Sequence, residues 1–369
     1  MSKFRFIFKQ NRRFKVFFKA FCISFAIIAS ATGVGIYAMN SIRPPDIPVV
    51  EPVMINIPVR EVTPNDRPTI NTETEDYPEY EDDQPPPLIA TLSERKPLFF
   101  TFLVVGLTEG LNANTIMIAA YDGETRRGYV ISIPRDTLVD VERNSRKIVS
   151  AYNVGRLRGG GHEGGVERLK YEVQSLVGFR PDFYVTVDYA AFVRMIDAVG
   201  GVEIYVPFHK RYDDPWQSLH IDIPEGLQML DGINALHFAR YRRGNNPRET
   251  ITDYQRIENQ QQVISSTIQR LMTPMTVLRI PEFIGIFNNY VDSDLAPGEL
   301  LWFANQARTF IGGDGTDALE FHTLPMAGTS GAPRWYELAD EAGILELVNR
   351  TVNPFIQDIT ADDIRIITP

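Results

Sequence analysis

The sequence predicts an α/β fold, namely a three-layer α/β/α domain with a central mixed sheet behind one N-terminal transmembrane helix. From about residue 95 onward, short runs of β-branched and aromatic residues alternate with segments of helical periodicity. A basic tail and a long uncharged segment precede this region, and a proline-rich acidic segment separates the two. With 369 residues, 44% of them hydrophobic, the composition also excludes collagen-like, disulfide-knotted and wholly disordered chains.

The N-terminal 42 residues have the pattern of a membrane anchor. Seven basic and no acidic side chains lie in residues 1–19, and the 23 residues 20–42 carry no charge. About 20 apolar residues cross a hydrocarbon core of about 30 Å, and basic flanks favour the cytoplasmic side. We therefore expect a cytoplasmic tail at 1–19, a transmembrane helix at 20–42 and a C-terminal domain outside the cell membrane. The alternative is a cleaved signal peptide, although the apolar stretch continues for eleven residues beyond Ala29-Ser30-Ala31.

Residues 43–97 are predicted to form an extracytoplasmic linker. Twelve prolines, an acidic cluster and few large apolar residues leave this segment unable to bury enough surface to fold by itself. The net charge of −10 is unevenly distributed, since residues 1–43 carry eight basic and no acidic side chains while the later regions are acidic. A nucleic-acid-binding domain would concentrate positive charge on its folded part, so nucleic acid is not an expected partner.

The predicted strands of the folded region share short length, β-branched or aromatic composition and flanking turn residues: 101–106, 115–121, 128–134, 182–188, 202–207 and 318–324. The predicted helices share apolar residues at helical spacing: 166–177, 189–199, 226–240, 251–272 and 335–352. Asp122-Gly123 indicates a hairpin turn between the second and third strands. Residues 155–165 include six glycines and are expected to form a flexible flap, in which His162 has no evident nucleophile to serve as a base.

Arg135 and Asp136 follow the third predicted strand, which ends at Pro134. In open α/β sheets, ligands bind at the edge where the parallel strands end. The guanidinium of Arg135 suits phosphate or carboxylate, and Asp136 suits an arginine or a hard cation. The alternative is an ion pair that seals the end of the strand.

Three arginines follow one another at the end of the predicted helix 226–240. Arg240, Arg242 and Arg243 lie within four residues of an acidic protein, and their mutual repulsion favours a bound anion. The favourable interaction of a cation with a helix C-terminus explains one of these arginines, but it does not explain three.

The longest predicted helix begins with polar residues at helical spacing. Asp253, Arg256 and Gln260 are predicted to share one face, directed into a cleft. The amides of the following glutamine run offer donors and acceptors for sugar hydroxyls or phosphate oxygens. The alternative is a solvated polar surface.

Five sequence blocks resemble, in the same order, the LytR-CpsA-Psr family: SIPRDT (132–137), KIVSAY (147–152), FYVTVDYAAFVRMIDAVGGVEIYVP (183–207), GLQMLDGINALHFARYR (226–242) and DYQRIENQQQ (253–262). The resemblance implies a catalytic domain at 98–272 that encloses an apolar tunnel for a lipid, with residues 273–369 as an extension packed on it. It also implies an extracytoplasmic phosphotransferase that moves a glycopolymer from a polyprenyl pyrophosphate carrier to a peptidoglycan hydroxyl. The expected partners are this carrier, peptidoglycan and the cytoplasmic membrane.

The resemblance also implies roles for single residues. The expected catalytic residues are Arg135, Asp136, Arg240 and Arg242, and the expected substrate-binding residues are Lys147, Arg256, Gln260 and Gln261. This set agrees with the chemistry, because concentrated positive charge neutralises a pyrophosphate and stabilises the leaving group.

The sequence departs from the family where magnesium is expected. In place of two aspartates this chain has Thr108 and Asn114, and a small shift of the alignment makes Glu109 a candidate substitute. Magnesium prefers carboxylate and phosphate oxygens, so neutral side chains predict weak Mg²⁺ binding. Asn259 likewise stands where the family often has a second arginine. Two alternatives to an active transferase therefore stay open: a protein that binds polyprenyl pyrophosphate or glycopolymer without turnover, and a pyrophosphate hydrolase.

Overall fold

The computed structural model describes residues 43–47, 94–108, 112–215, 219–246, 249–271, 273, 280–307, 318–331 and 334–367. The predicted cytoplasmic tail, the predicted transmembrane helix and most of the predicted linker lie outside these residues. Among the helices that are described, none is both long enough and apolar enough to cross a bilayer.

Within the residues that the structure describes, a six-stranded mixed sheet lies at the centre of the fold. In spatial order, its strands are β10 (Leu319–Thr323), β3 (Arg127–Ile133), β2 (Ala113–Asp122), β1 (Phe99–Leu107), β4 (Phe183–Val187) and β9 (Asp292–Ser293). Strands β1, β3, β4 and β10 run in one direction, and β2 and β9 are antiparallel to them. Four strands therefore end at the same edge, here called the C-terminal edge. This arrangement confirms the predicted mixed α/β fold with a central mixed sheet.

Eight α-helices are found in the described part of the chain: α1 (Ala151–Gly155), α2 (Gly161–Val177), α3 (Tyr189–Ala198), α4 (Gly232–Arg240), α5 (Asp253–Leu271), α6 (Ile280–Tyr290), α7 (Pro297–Ala307) and α8 (Glu341–Thr351). The remaining strands form antiparallel pairs: β5 (Val202–Val206) with β8 (Gly226–Leu230), β6 (Lys210–Asp214) with β7 (Leu219–Ile223), and β11 (Met326–Thr329) with β12 (Glu337–Ala339).

The two faces of the sheet have different neighbours. Leu103 and Ile118 are fully buried on one face, where they share a core with Leu169 of α2 and Ile344 of α8. Burying a leucine or isoleucine completely contributes about 1.5–3 kcal/mol, so this face supplies much of the stability. Because successive side chains of a strand alternate between faces, the neighbouring residues of β1 and β2 point to the opposite side, towards helices α3–α7.

A buried ion cluster fastens the loop after β3 to helix α2. Glu172 is fully buried, and its carboxylate accepts hydrogen bonds from both terminal nitrogens of Arg143 and from Nε of Arg168, the latter at 2.7 Å. Arg143 Nη2 also donates to the carbonyl oxygen of Lys147 at 2.8 Å. The carboxylate is thus the shared acceptor of two guanidinium groups in a buried site.

The glycine-rich segment 155–165 does not form the expected flap. It comprises the end of α1, a tight turn and the start of α2. A Cβ atom on Gly155 would lie 2.2 Å from the carbonyl oxygen of Gly164, so these glycines permit close packing of the two helices. The positive φ angles at Gly159 and Gly161, 92° and 57°, form the turn between them.

Replacing Gly155 with alanine is expected to lower the free energy of unfolding by about 1–3 kcal/mol, because the added methyl group meets backbone that cannot move independently. Urea unfolding of the purified protein measures this change. Gly285→Ala is the matched control, since a Cβ atom added there would meet no atom of another part of the protein within 4 Å and alanine favours a helix by up to about 1 kcal/mol. Equal stability of the two variants would contradict the packing argument.

Two predicted helices were too long. Residues 226–230 pair with β5 as strand β8. Helix α4 begins only at Gly232, where the preceding Asp231 caps it by accepting a hydrogen bond from the amide of Asn234 at 2.9 Å. Similarly, β12 precedes α8 within the predicted helix 335–352. Over about five residues, the same apolar pattern fits a helix or a strand. Residues 226–230 form a strand because they pair with β5. The β6–β7 hairpin, β11 and helices α6 and α7 were not predicted.

A second core lies between helices α3–α5 and strands β5–β8, and it contains a buried lysine. Lys210 is 1% exposed. Its Nζ lies over three aromatic rings, at 4.3 Å from the centre of Phe208, 4.7 Å from Tyr241 and 5.1 Å from Phe238. Burial lowers the pKa of Lys210 from 10.5 to about 8, because the aromatic rings stabilise the charged ammonium less well than water does.

Candidate functional site

A cavity of about 1070 Å³ separates the sheet from helices α3–α7. Most of its lining is apolar, with Phe102 and Met117 on the sheet side and Phe192, Ile268 and Phe287 on the helical side. Its volume lies at the upper limit of the roughly 300–1,000 Å³ of most ligand pockets. The cavity therefore has room for a large apolar ligand.

Among the described residues, five arginines line this cavity: Arg135, Arg240, Arg242, Arg243 and Arg256. The fold brings them together because β3, α4 and α5 meet at the C-terminal edge of the sheet. The first arginine follows β3, the next three end α4 or follow it, and the last lies in the first turn of α5. An apolar cavity with a cationic end is suited to a ligand that has an apolar chain and an anionic head.

Asp253 is the shared counter-ion of three of these arginines. Its carboxylate lies 3.2 Å from Nε of Arg135, 3.5 Å from Nη2 of Arg242 and 3.6 Å from Nη2 of Arg256. One negative charge among three guanidinium groups leaves an excess of positive charge. An anion with several oxygens would complete the neutralisation.

Arg256 is the most buried member of the cluster, with 5% of its surface exposed. Burial lowers the pKa of Arg256 to about 10; Asp253 opposes this shift, and Arg135 and Arg242 add to it. Within the described structure, its buried Nε has no hydrogen-bond partner. A phosphate oxygen in the cavity could accept from this group and relieve the cost of burying it.

Aromatic rings hold two other arginines in place. The guanidinium of Arg240 lies 4.2 Å from the ring centre of Tyr189, the first residue of α3. Arg243 lies 5.7 Å from the ring centre of Tyr212 and donates a hydrogen bond to its hydroxyl at 3.4 Å. Neither tyrosine was predicted as a site residue from the sequence, although Tyr189 follows β4 and so lies at the predicted ligand edge.

The other expected site residues divide into two groups. Gln260 lines the cavity, one turn after Arg256. Gln261 instead donates to the Ser132 hydroxyl and to a β10 carbonyl oxygen, both at 3.0 Å, and thereby joins α5 to the sheet. Asp136 and Lys147 form an ion pair of 3.0 Å, and neither lines the cavity. The substrate contacts of Lys147 and Gln261 and the catalytic role of Asp136 stay predictions.

The positions expected to hold magnesium also lie at the cavity. Thr108 and Asn114 line it next to the adjoining ends of β1 and β2, whereas Glu109 lies outside the described residues. The described side chains include no group of three or more His, Cys, Asp or Glu residues that could hold a metal ion. A hydroxyl and an amide do not fit the carboxylate-rich coordination that magnesium prefers.

The fold and the site together define an α/β protein with a cavity suited to an amphiphilic anion. The chain belongs to the LytR_cpsA_psr family, whose model matches residues 91–352. The matched range includes β10 and α8, so it continues beyond the boundary expected at residue 272.

Comparisons with individual proteins agree with this membership. The regulatory protein MsrR of Staphylococcus aureus strain COL is 27% identical over 183 residues, which are 49% of this chain and 51% of MsrR. The chain thus spans about half the length of the MsrR proteins that it matches. The polyisoprenyl-teichoic acid–peptidoglycan teichoic acid transferase TagV of Bacillus subtilis strain 168 is 25% identical over 283 residues, 73% of this chain and 67% of TagV.

A solved structure shows the same fold. The crystal structure of B. subtilis TagV superposes with a TM-score of 0.55 and 21% identity, covering 68% of this chain and 95% of the crystallised TagV chain. At this identity the likeness concerns the fold alone.

Proposed function

We propose that the protein is a membrane-anchored extracytoplasmic phosphotransferase that moves a glycopolymer from a polyprenyl pyrophosphate carrier to peptidoglycan in cell wall assembly. One observation carries the proposal: a single cavity combines a large apolar space with a cluster of arginines at one end. A polyprenyl pyrophosphate likewise has a long apolar chain with an anionic group at one end. The family membership and the transferase name of TagV support this reading.

The arginines account for the chemistry of the transfer. The acceptor hydroxyl oxygen forms a bond to the phosphorus that carries the glycopolymer, and the bond from this phosphorus to the bridging oxygen breaks. Polyprenyl phosphate leaves with the electron pair, and the hydroxyl proton passes to the solvent. Arg135, Arg242 and Arg256 converge on Asp253 and would together neutralise the negative charge that develops on the phosphates, since phosphoryl transfer depends mainly on positioning and charge neutralisation.

Magnesium has a minor place in the proposal. Thr108 and Asn114 offer one hydroxyl and one amide oxygen, so a bound ion would take most of its ligands from the phosphates of the donor. The transfer described above therefore uses the arginines of this chain without the metal.

The location in the cell is a further part of the proposal. A single span at 20–42 behind the basic tail 1–19 would place the catalytic domain outside the cytoplasm. In that location the domain meets both the lipid carrier in the membrane and the peptidoglycan acceptor.

A transfer assay tests the proposed function. The full chain is incubated with a radiolabelled polyprenyl-pyrophosphoryl saccharide and peptidoglycan, with magnesium or with a chelator. We expect label on peptidoglycan together with release of polyprenyl phosphate, both with magnesium and with the chelator. Release without labelled peptidoglycan would identify a hydrolase, and tight donor binding without release would identify a non-catalytic binding protein. Either result would contradict the transferase.

A further inference from the structure

An aromatic cluster lies at the edge of the sheet opposite to the arginines, and two of its members, Tyr121 and Phe303, line the cavity. Phe100, Tyr121, Phe183 and Trp302 are buried there, and the ring of Phe303 lies 5.0–6.4 Å from each of them. This edge, here called the aromatic edge, contains the start of β1 and the end of β2. The nine residues of β1 separate it from the C-terminal edge by about 30 Å, at about 3.3 Å per residue.

A short N-terminal segment packs on this aromatic edge. Residues 43–47 are described by the structure; Pro45 is buried in this segment, and Ile47 packs against the aromatic cluster. The segment directly follows the uncharged stretch 20–42. The point where the chain would leave the membrane is thus only a few residues from a contact with the domain.

Chain geometry limits the distance between the membrane and this contact. An extended chain advances at most about 3.6 Å per residue, so the five residues from Ile42 to Ile47 span at most about 18 Å. This length is shorter than the distance of about 30 Å between the two edges of the sheet. The tether therefore keeps the aromatic edge within about 18 Å of the end of the uncharged stretch, whereas it allows the arginines at the other edge to lie up to about 48 Å away.

We propose that the aromatic edge faces the lipid bilayer, held there by residues 43–47, so that the apolar cavity extends from the membrane side towards the arginines on the far side. The inference rests on the proposed membrane anchor. It assigns the bilayer as the partner of one surface of the domain and gives the cavity a direction relative to it.

The same placement changes the role of the proline-rich segment. Residue 47 contacts the aromatic edge, and the chain returns to that edge at Arg95, which pairs at 2.8 Å with Asp182 just before β4. Residues 48–93 therefore connect two points on one edge of the domain. Their length does not determine how far the domain lies from the membrane.

Energy transfer to the membrane measures this orientation. In a Cys22→Ser background, one donor dye is attached at Glu124→Cys, an exposed position on the aromatic edge, or at Thr329→Cys, an exposed position beyond the C-terminal edge. The full chain is reconstituted in phosphatidylglycerol–phosphatidylethanolamine vesicles that contain an acceptor-labelled lipid headgroup. Because the edges lie about 30 Å apart, we expect transfer about twofold or more stronger from position 124. Equal transfer, or stronger transfer from 329, would overturn the proposal.

Two length variants separate the short tether from the long segment. Deleting residues 52–90 is expected to leave the difference between the two dye positions unchanged. Inserting twelve Gly and Ser residues between Ile42 and Arg43 is expected to reduce it, because the tether then no longer restrains the domain. The opposite pattern would show that the proline-rich segment sets the position of the domain, against the proposal.

Flotation with the same vesicles distinguishes this inference from the proposed function. A chain that floats but shows equal transfer from both positions retains its anchor and contradicts only the orientation. A chain that does not float contradicts both the anchor and the orientation.

Discussion

Glu172→Gln is expected to lower the free energy of unfolding by about 3–5 kcal/mol, because it removes the charge of a buried carboxylate that two guanidinium groups share. Glutamine has nearly the same shape, so the effect reports charge rather than packing. Without the carboxylate, Arg143 and Arg168 stay close to each other with no compensating charge. Arg143 also holds the loop that follows β3, so the loss extends towards the ligand edge.

Guanidinium chloride unfolding of the two proteins measures the change. Glu346→Gln on α8 is the control, since Glu346 is exposed and its neutralisation should change stability by less than about 0.5 kcal/mol. A loss of stability in the Glu172 variant no larger than in the Glu346 variant would show that the buried cluster is not held by charge. Adding Arg168→Met to Glu172→Gln should restore part of the loss, because one uncompensated cation is then removed.

Arg135→Gln is expected to weaken the binding of inorganic pyrophosphate by about 10- to 150-fold. A hydrogen bond to a charged group contributes about 1.5–3 kcal/mol, and each 1.4 kcal/mol corresponds to a factor of ten. The substitution also removes a counter-charge of Asp253, whose carboxylate then repels the ligand more strongly. Loss of the donor and gain of repulsion act in the same direction.

Calorimetric titration with pyrophosphate at constant ionic strength tests this expectation. Arg350→Gln removes the same charge from an exposed position on α8, where the guanidinium lies 3.8 Å from Glu320. It should leave the affinity almost unchanged. Equal weakening by both substitutions would assign the effect to the net charge of the protein, and no weakening by Arg135→Gln would refute the arginine site.

The central sheet was predictable because its strands carry strong local signals. Strands β1, β2 and β3 are seven to ten residues long, each contains several β-branched or aromatic residues, and turn residues separate them. The same reasoning placed Arg135 at a ligand edge, since the chain direction alone determines where a strand ends. The start of α4 was not predictable in this way, because β8 forms only through pairing with β5, whose partner residues lie 20 to 28 positions earlier in the chain.

The candidate site was predictable as a set of residue types but not as an arrangement. Successive residues of a helix point about 100° apart, so Gln260 and Gln261 cannot both face the cavity. The sequence does not determine how α5 is rotated about its axis. The hydrogen bonds of Gln261 to the sheet turn that residue away from the cavity and leave Gln260 to face it. The shared role of Asp253 likewise depends on three elements that meet in space. The close approach of Gly155 to Gly164 likewise depends on how two helices pack in space. From the sequence alone the glycines therefore indicated a flexible flap.

Because Lys210 is enclosed by aromatic rings, the free energy of unfolding of the protein depends on pH in the alkaline range. Folding lowers the pKa of Lys210 from 10.5 to about 8, so between these pH values the unfolded chain binds more protons than the folded one. The contribution of this residue to stability therefore rises as the pH increases from about 8 to 10.5, and it is least favourable below pH 8. Unfolding of the second core is thus accompanied by proton uptake, so its stability depends on the pH of the surrounding medium.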